Sequence, residues 1–200
     1  MQVDPSTFRA LNVIDSCAVW NLLSSRLLYS RALTARCNFC CTNFVEYECL
    51  YKRRSVPSAG DQELRQRMLR EQQRGQFQSY SIEIEDLQQI ERMQTQRRLS
   101  YGELSSIAFA KRTQQAFLTD DQKARKLATD NLEKGAVQTT PHLFGWLVFN
   151  GILNDADRDQ VIAEHEAMGR PLRPFLERMY VRAVEHRLAA ATSGGAESAC

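Results

Sequence analysis

The sequence predicts an α/β fold, a three-layer α/β/α sandwich with a central parallel sheet of about four or five strands, followed by C-terminal helices. Short apolar runs alternate with longer segments whose apolar residues recur at helical spacing. Parallel strands need such helical crossovers to return the chain. Asp15 directly follows one of the apolar runs, and the pair Asp120 and Asp121 follows another after Thr119. Functional groups of parallel sheets collect beyond these carboxyl ends.

Composition sets outer limits on the kind of protein. The chain has 200 residues, enough for one well-buried domain with an appendage. It is 25% charged and 43% hydrophobic, which is near the average for globular proteins and gives no support to a disordered or fibrous chain. The net charge of +2 gives no general argument for nucleic-acid binding. No apolar run reaches the roughly 20 residues of a membrane span, so a cytoplasmic location is expected.

The first half of the chain holds two strand–helix units. Residues 11–14 are a branched, apolar strand, and a helix is predicted over 17–28. A buried strand is predicted over 36–41. The hydroxyl of Thr42 can then cap a helix over 44–51.

The middle of the chain begins with a change of pattern. A Pro and a Gly within 55–61 interrupt the periodicity, and a polar helix is predicted over 62–74. Alternating apolar residues at Tyr80, Ile82 and Ile84 predict a third strand. A helix over 86–96 follows.

The next segment repeats the strand–helix alternation. Ser100 is a predicted cap for a helix over 101–111, and residues 116–118 form a fourth apolar strand. A helix is expected from 124 to 132. Residues 136–139 are a short fifth strand.

Helical spacing then returns three times, over 141–153, 156–168 and 174–188. The small residues of 189–200 predict a disordered tail. The expected organisation is therefore a main domain over 1–153 with a helical insertion near 52–78, a helical extension over 154–188, and the tail. The extension is expected to cover an apolar edge, to make a dimer contact or to receive an inhibitory partner.

Acids that follow strands point to a cation. Carboxylates that converge repel one another and raise one another's pKa unless a cation neutralises them. Oxygen ligands with few sulfurs or imidazoles favour Mg²⁺ or Mn²⁺. Such an ion can activate water and stabilise charge on a phosphodiester.

Four segments resemble, in order, the motifs of the PIN-domain nucleases. Residues 13–16 resemble the opening strand with its acid, here Asp15, and a small hydroxyl residue, here Ser16. Residues 42–50 resemble the second motif, in which a Thr is followed by a Val and then by the helical acid. That spacing selects Thr42, Val45 and Glu48.

The third and fourth segments complete the resemblance. Residues 101–111 resemble the acid at a helix start followed by alanine-rich spacing, with Glu103 in place of the commoner Asp. Residues 117–121 resemble the closing strand, Thr and acid. The Thr-x-Asp spacing favours Asp121, whereas an acid pair followed by Ala-Arg, as at Ala124 and Arg125, leaves Asp120 open.

The resemblance implies a metal-dependent nuclease, in first place an endoribonuclease acting on single-stranded RNA. Asp15, Glu48, Glu103 and Asp121 (or Asp120) would hold Mg²⁺ or Mn²⁺. The implied setting is the toxin of a toxin–antitoxin pair, with an antitoxin-like inhibitor as partner, and a homodimer is a further expected partner. The alternatives are a DNA-directed nuclease and a non-catalytic PIN-like scaffold that binds nucleic acid or protein.

Other side chains are expected to assist. Ser16 and Thr119 flank predicted ligands and either orient a water molecule or only end strands. Five arginines are candidates for nucleic-acid binding, with solvated helix faces as the alternative. They are Arg53, Arg54, Arg97, Arg98 and Arg125.

Overall fold

The sheet of this computed structural model confirms the predicted fold class. The structure describes residues 3–52, 58–95 and 98–194. In these ranges five strands form one sheet, in the order β3-β2-β1-β4-β5, and every neighbouring pair is parallel. The strands are β1 (Leu11–Ile14), β2 (Asn38–Thr42), β3 (Gln78–Tyr80), β4 (Ala116–Leu118) and β5 (Val137–Gln138).

Helices connect the strands and extend the chain beyond the last of them. The described residues contain ten α-helices and a π-helix at Tyr47–Tyr51. The α-helices are α1 (Ser16–Ser24), α2 (Arg26–Thr34), α3 (Asn43–Glu46), α4 (Ala59–Gln73), α5 (Ile84–Gln94), α6 (Tyr101–Thr113), α7 (Gln122–Asn131), α8 (Thr140–Phe149), α9 (Asp155–Ala167) and α10 (Arg173–Gly194). None of these helices is long and apolar enough to cross a membrane.

The two faces of the sheet are buried by different helices. Successive side chains of a strand point to opposite faces. Val13 and Phe117 pack in one apolar cluster with side chains of α5, α6 and α7. Ile14 and Leu118 pack in the other cluster, with side chains of α1, α2 and α8. All four are fully buried, so the central strands are shielded on both sides as a three-layer arrangement requires.

The helix predicted over 17–28 is in fact two helices. Ser25 has an extended backbone and separates α1 from α2. Its hydroxyl accepts a hydrogen bond from the backbone N–H of Leu28 at 3.0 Å and donates one to the Glu164 carboxylate at 2.6 Å. The break therefore depends on a contact with α9, which helical periodicity does not reveal.

The third strand ends earlier than predicted. It stops at Tyr80, and Ile84, expected in the strand, begins α5. The Asp86 carboxylate accepts a hydrogen bond from the backbone N–H of Glu83 at 2.9 Å, which is a helix-start contact. Asp86 is buried and also pairs with Arg112 of α6, which fixes α5 against its neighbour.

The C-terminal helix is longer than predicted. Helix α10 continues to Gly194, so the first part of the segment expected to be disordered is helical. Residues 195–200 lie outside the described residues. Helix α10 packs on α8 and α9. The contact with α8 is close, because a Cβ at Gly145 would overlap the side chain of Met179.

Candidate active site

The carboxyl ends of β1 and β4 bring the first and last predicted acids together. The strands are adjacent and parallel, with Ile14 paired to Leu118. Asp15 follows β1 directly, and its backbone N–H donates to the carbonyl of Leu118 at 3.3 Å. Asp120 and Asp121 follow β4 after one intervening residue. The sheet therefore places Asp15, Asp120 and Asp121 at one edge, the acidic edge.

Asp15 is held rigidly at this edge. It is fully buried and caps α1, where one carboxylate oxygen accepts a hydrogen bond from the N–H of Ala18 at 2.8 Å. The other oxygen accepts one from the hydroxyl of Thr119 at 2.5 Å. Thr119 was a predicted supporting residue, and the structure shows that it orients the Asp15 carboxylate.

Glu48 lies on the π-helix. The π-helix is closed by a hydrogen bond from the N–H of Lys52 to the carbonyl of Tyr47 at 2.8 Å. Such segments are rare and frequent at functional sites. The Glu48 carboxylate accepts hydrogen bonds from the Ser16 hydroxyl at 3.0 Å and from the Gly102 N–H at 3.4 Å. Glu48 thus joins the N-termini of α1 and α6, and Ser16, also a predicted supporting residue, holds it.

Glu103 lies in the first turn of α6. Its carboxylate accepts a hydrogen bond from the N–H of Ser100 at 2.7 Å, and the Ser100 hydroxyl accepts one from the N–H of Glu103 at 3.3 Å. This reciprocal pair is a capping box, which explains an acid at this position by helix chemistry alone. The charges of Asp121 and Glu48 nevertheless act on Glu103, so it also belongs to the acidic edge.

The structure separates the roles of Asp120 and Asp121. Asp120 accepts three hydrogen bonds, from the side-chain amide of Asn21 at 2.8 Å and from the N–H and hydroxyl of Thr140 at 2.9 and 2.6 Å. Asp121 caps α7 through one oxygen, which accepts from the N–H groups of Lys123 and Ala124. Asp120 therefore ties α1 to α8, and Asp121 uses one carboxylate oxygen for its cap.

The electrostatics of the edge are unfavourable to negative charge. Burial raises the pKa of Asp15 from 3.8 to about 7, hydrogen bonds from Thr119 and Ala18 oppose the shift, and the charges of Asp120 and Glu103 add to it. The pKa of Glu103 is raised as well, first by burial and then by the charges of Asp121 and Glu48. Several carboxylates thus share one poorly solvated region, and a cation would relieve their repulsion.

The carboxylates of the acidic edge nevertheless do not converge on a single metal-binding position. Within residues 3–52, 58–95 and 98–194, no three His, Cys, Asp or Glu side chains are arranged so that they could hold one metal ion. The hydrogen bonds supply the reason: Glu103 is turned to the N-terminus of α6, Glu48 to Ser16, and Asp121 to the N-terminus of α7.

A buried acid with a raised pKa predicts a pH-dependent stability. The folded-state pKa of Asp15, about 7, exceeds the unfolded value near 3.8. The folded state therefore holds the proton more tightly, and the free energy of unfolding falls as pH rises from about 4 to about 7. We expect Asp15→Asn, which cannot ionise, to exceed the wild-type protein in stability at pH 8 by about 1–3 kcal/mol, allowing for the altered contact with Thr119.

Thermal melting in EDTA at pH 5, 6 and 8 measures this difference. Asp130→Asn, at an exposed acid of α7, is the control and should follow the wild-type curve. If Asp15→Asn and the wild-type protein lose stability in parallel as the pH rises, Asp15 is not the group that titrates.

The predicted basic contacts are only partly visible. Arg98 is exposed and Arg125 is half-buried on α7. Arg53, Arg54 and Arg97 lie outside the described residues. A role for these five side chains in binding nucleic acid stays a prediction.

Three contributors to the edge were not identified from the sequence. Asn21 and Thr140 hold Asp120, and Gly102 lets Glu48 approach α6. A Cβ on Gly102 would lie 2.5 Å from a Glu48 carboxylate oxygen. Asn21 lies five residues beyond Ser16 in α1, and Thr140 follows the carboxyl end of β5, so only strand order and helical spacing could have indicated them.

Comparison with known proteins agrees with this architecture. Residues 43–134 match the model of a family described as PIN domain. The matched range contains Glu48, Glu103, Asp120 and Asp121, and Asp15 precedes it. The match covers 92 of the 200 residues and confirms the resemblance to PIN domains seen in the sequence. PIN domains are generally nucleases, that is, hydrolases, and usually use divalent metals. No curated protein and no solved structure matches the chain.

Proposed function

We propose that this protein is a metal-dependent endoribonuclease that hydrolyses phosphodiester bonds of single-stranded RNA. One observation carries the proposal: acids from distant parts of the chain meet at the carboxyl edge of a parallel sheet, and Asp15 is buried among like charges there. A structural protein gains nothing from that arrangement, because each carboxylate raises the cost of ionising the next.

The donor set fits a hard divalent cation. Asp15, Glu48, Glu103 and Asp121 offer oxygen ligands without sulfur or imidazole, which suits Mg²⁺ or Mn²⁺. Asp120 has its oxygens engaged by Asn21 and Thr140 and is assigned a supporting role. The other carboxylates are held by helix caps and a hydroxyl, contacts that side-chain rotation can exchange for a cation.

A divalent cation at this edge would supply an activated water and would stabilise negative charge on the phosphodiester. The chain's own groups prepare the site. Thr119 and Ser16 donate hydrogen bonds that orient Asp15 and Glu48. The N-termini of α1, α6 and α7 lie at the same acids, and their partial positive charge offsets part of the carboxylate repulsion.

The decisive experiment incubates purified protein with end-labelled single-stranded RNA and with DNA of the same sequence, in Mg²⁺, in Mn²⁺ and in EDTA. We expect RNA cleavage in either metal, none in EDTA, and recovery when metal is restored in excess. Cleavage of DNA alone would instead support the DNA-directed nuclease. Binding of both nucleic acids without cleavage would support the scaffold and contradict the proposal.

The biological setting is a separate matter. The toxin role and the antitoxin-like inhibitor follow from the family resemblance alone, and the homodimer is one of the roles expected of the C-terminal helices. All three stay predictions. Size-exclusion chromatography with light scattering tests the homodimer directly. Loss of RNA cleavage on addition of a small protein encoded beside this chain would support the inhibitor.

Gly102 provides a test of Glu48 that leaves every acid in place. In Gly102→Ala the new Cβ would lie 2.5 Å from a Glu48 oxygen, so the carboxylate must move. That carboxylate is the end of a flexible side chain, and Ala is the better helix former, so we expect little loss of stability. Changes to the groups that orient metal ligands typically lower metal affinity or activity by about 10- to 100-fold. We therefore expect about a 10-fold rise in the Mg²⁺ concentration needed for half-maximal cleavage.

Gly60→Ala is the matched control. Gly60 is also the second residue of a helix whose Ser N-cap forms a capping box. The nearest atoms to a Cβ there are at 3.7 and 3.8 Å, which is ordinary contact. If both variants need the same Mg²⁺ concentration for half-maximal cleavage, the position of the Glu48 carboxylate does not affect metal binding.

A further inference from the structure

An aromatic pocket opens beside Glu48 on the outer side of the acidic edge. It has a volume of about 540 Å³, and its walls include Phe44, Tyr47, Lys52 and Tyr101 as well as Glu48 itself. We propose that this aromatic pocket binds one nucleobase of the single-stranded substrate by stacking on Tyr101. The inference rests on the proposed nuclease function and names what that site recognises.

The rings of the aromatic pocket are already arranged as a stack. The centroids of Phe44 and Tyr101 are 5.6 Å apart and their planes differ by 22°. Tyr101 is 54% exposed, so the stack is accessible from solvent. A base placed on the open side of Tyr101 would extend it. Exposed aromatic platforms of this kind bind unstacked bases of single strands, which a duplex does not offer.

Packing of the protein core does not account for these rings. Tyr47 is 56% exposed and lies on the π-helix, which presents it to the same pocket as Tyr101. Core aromatics in this fold, such as Phe77 and Phe117, are fully buried. Two large exposed rings beside one cavity leave apolar surface in water, which favours a flat apolar ligand.

The pocket is continuous with the acids. Glu48 forms part of its wall and also accepts hydrogen bonds from Ser16 and Gly102. Tyr101 directly precedes Gly102 in the chain. A nucleotide whose base lies on Tyr101 would therefore have its sugar and phosphate next to the edge that contains Glu48 and Glu103.

The charges around the pocket select among ligands. Lys52 is exposed at its wall and can contact a phosphate oxygen. Glu48 and Glu103 would repel an acidic peptide. A flat base attached to a phosphate that a divalent cation neutralises satisfies both the apolar rings and the carboxylates, whereas an apolar peptide would leave Lys52 and Glu48 without a role.

Binding of a fluorescent ten-nucleotide single-stranded RNA, measured by anisotropy in Ca²⁺ with probe integrity checked on a gel, tests the inference. Base stacking on an aromatic residue predicts that Tyr101→Ala weakens binding by about 5- to 100-fold. Tyr101→Phe, which keeps the ring, should restore most of the affinity. Phe175→Ala is the control, because Phe175 is 52% exposed on α10, which packs on α8 and α9.

Probes with one abasic nucleotide separate stacking from a general loss of affinity. With the wild-type protein we expect one abasic position to weaken binding as much as Tyr101→Ala does, and to have little further effect in that variant. Independent losses, or wild-type affinity of Tyr101→Ala, would overturn the inference. Melting curves establish that the variants are folded, and Tyr47→Ala replaces Tyr101→Ala if that variant does not fold.

Cleavage in Mg²⁺ keeps the two proposals distinguishable. If only the base site is wrong, Tyr101→Ala cuts RNA with wild-type kcat and KM. If the nuclease function is wrong, the wild-type protein cuts nothing, and the anisotropy series alone decides whether a base occupies the pocket. If both are right, Tyr101→Ala raises KM far more than it lowers kcat.

Discussion

Asp15→Asn is expected to lower the rate of RNA cleavage by at least about 100-fold at saturating Mg²⁺. The replacement keeps the size of the side chain and an oxygen for the N–H of Ala18, so α1 retains its cap. It removes the negative charge that is buried at the centre of the acidic edge. Without that charge a divalent cation would be held less tightly at this edge and would be less well positioned to activate water.

Initial rates of cleavage over a range of Mg²⁺ concentrations measure this loss. Glu103→Gln should show a similar loss, because its charge acts on the same group of acids. Asp130→Asn, at an exposed acid of α7, should cut at the wild-type rate. Wild-type rates in both folded site variants would remove the assignment of these acids as ligands.

Replacing Asp120 or Asp121 by Asn is expected to have opposite effects: one variant should lose mainly stability and the other mainly cleavage. In Asp121→Asn the amide oxygen can still cap α7, so we expect a loss of stability of at most about 1 kcal/mol. We expect cleavage to fall by at least about 100-fold, because the charge of Asp121 faces Glu103. Stability and activity are thus separated at this position.

Asp120→Asn should mainly lower the stability of the protein. Its amide group would face donors on Asn21 and Thr140, where both carboxylate oxygens now accept hydrogen bonds. Losing such charge-assisted bonds costs about 2 kcal/mol, or about 4–8 °C in Tm for a chain of this size. Melting curves and cleavage rates of the two variants decide the matter, and the reverse pattern would make Asp120 the ligand.

Much of the fold was predictable because local sequence and long-range structure agree. The strand at Leu11–Ile14 is a branched apolar run that a buried parallel strand requires, and the structure reproduces it. The caps at Thr42 and Ser100 were also identified, since a hydroxyl before a helical pattern has one main structural use. Asp15 follows β1, and Asp120 and Asp121 follow β4; because these strands are parallel neighbours, the three acids lie at the same edge of the sheet.

The remaining features depend on contacts between distant residues. The break at Ser25 needs the Glu164 carboxylate, and the roles of Asp120 and Asp121 differ because Thr140 reaches only the first of them. The π-helix that carries Glu48 leaves the same apolar pattern as an ordinary helix. No periodicity in the sequence reveals the break at Ser25 or the separate roles of the two acids, because each is fixed by a partner from another element.

The place of β1 in the middle of the sheet has a consequence for synthesis of the protein. Thr119 and Asp15 are hydrogen-bonded across 104 residues of sequence, and β1 has β4 as one of its two neighbours. Pairing over such a separation is slow compared with local contacts. A growing chain that holds only its first hundred residues lacks Glu103, Asp120 and Asp121, so the acidic site can form only late in synthesis.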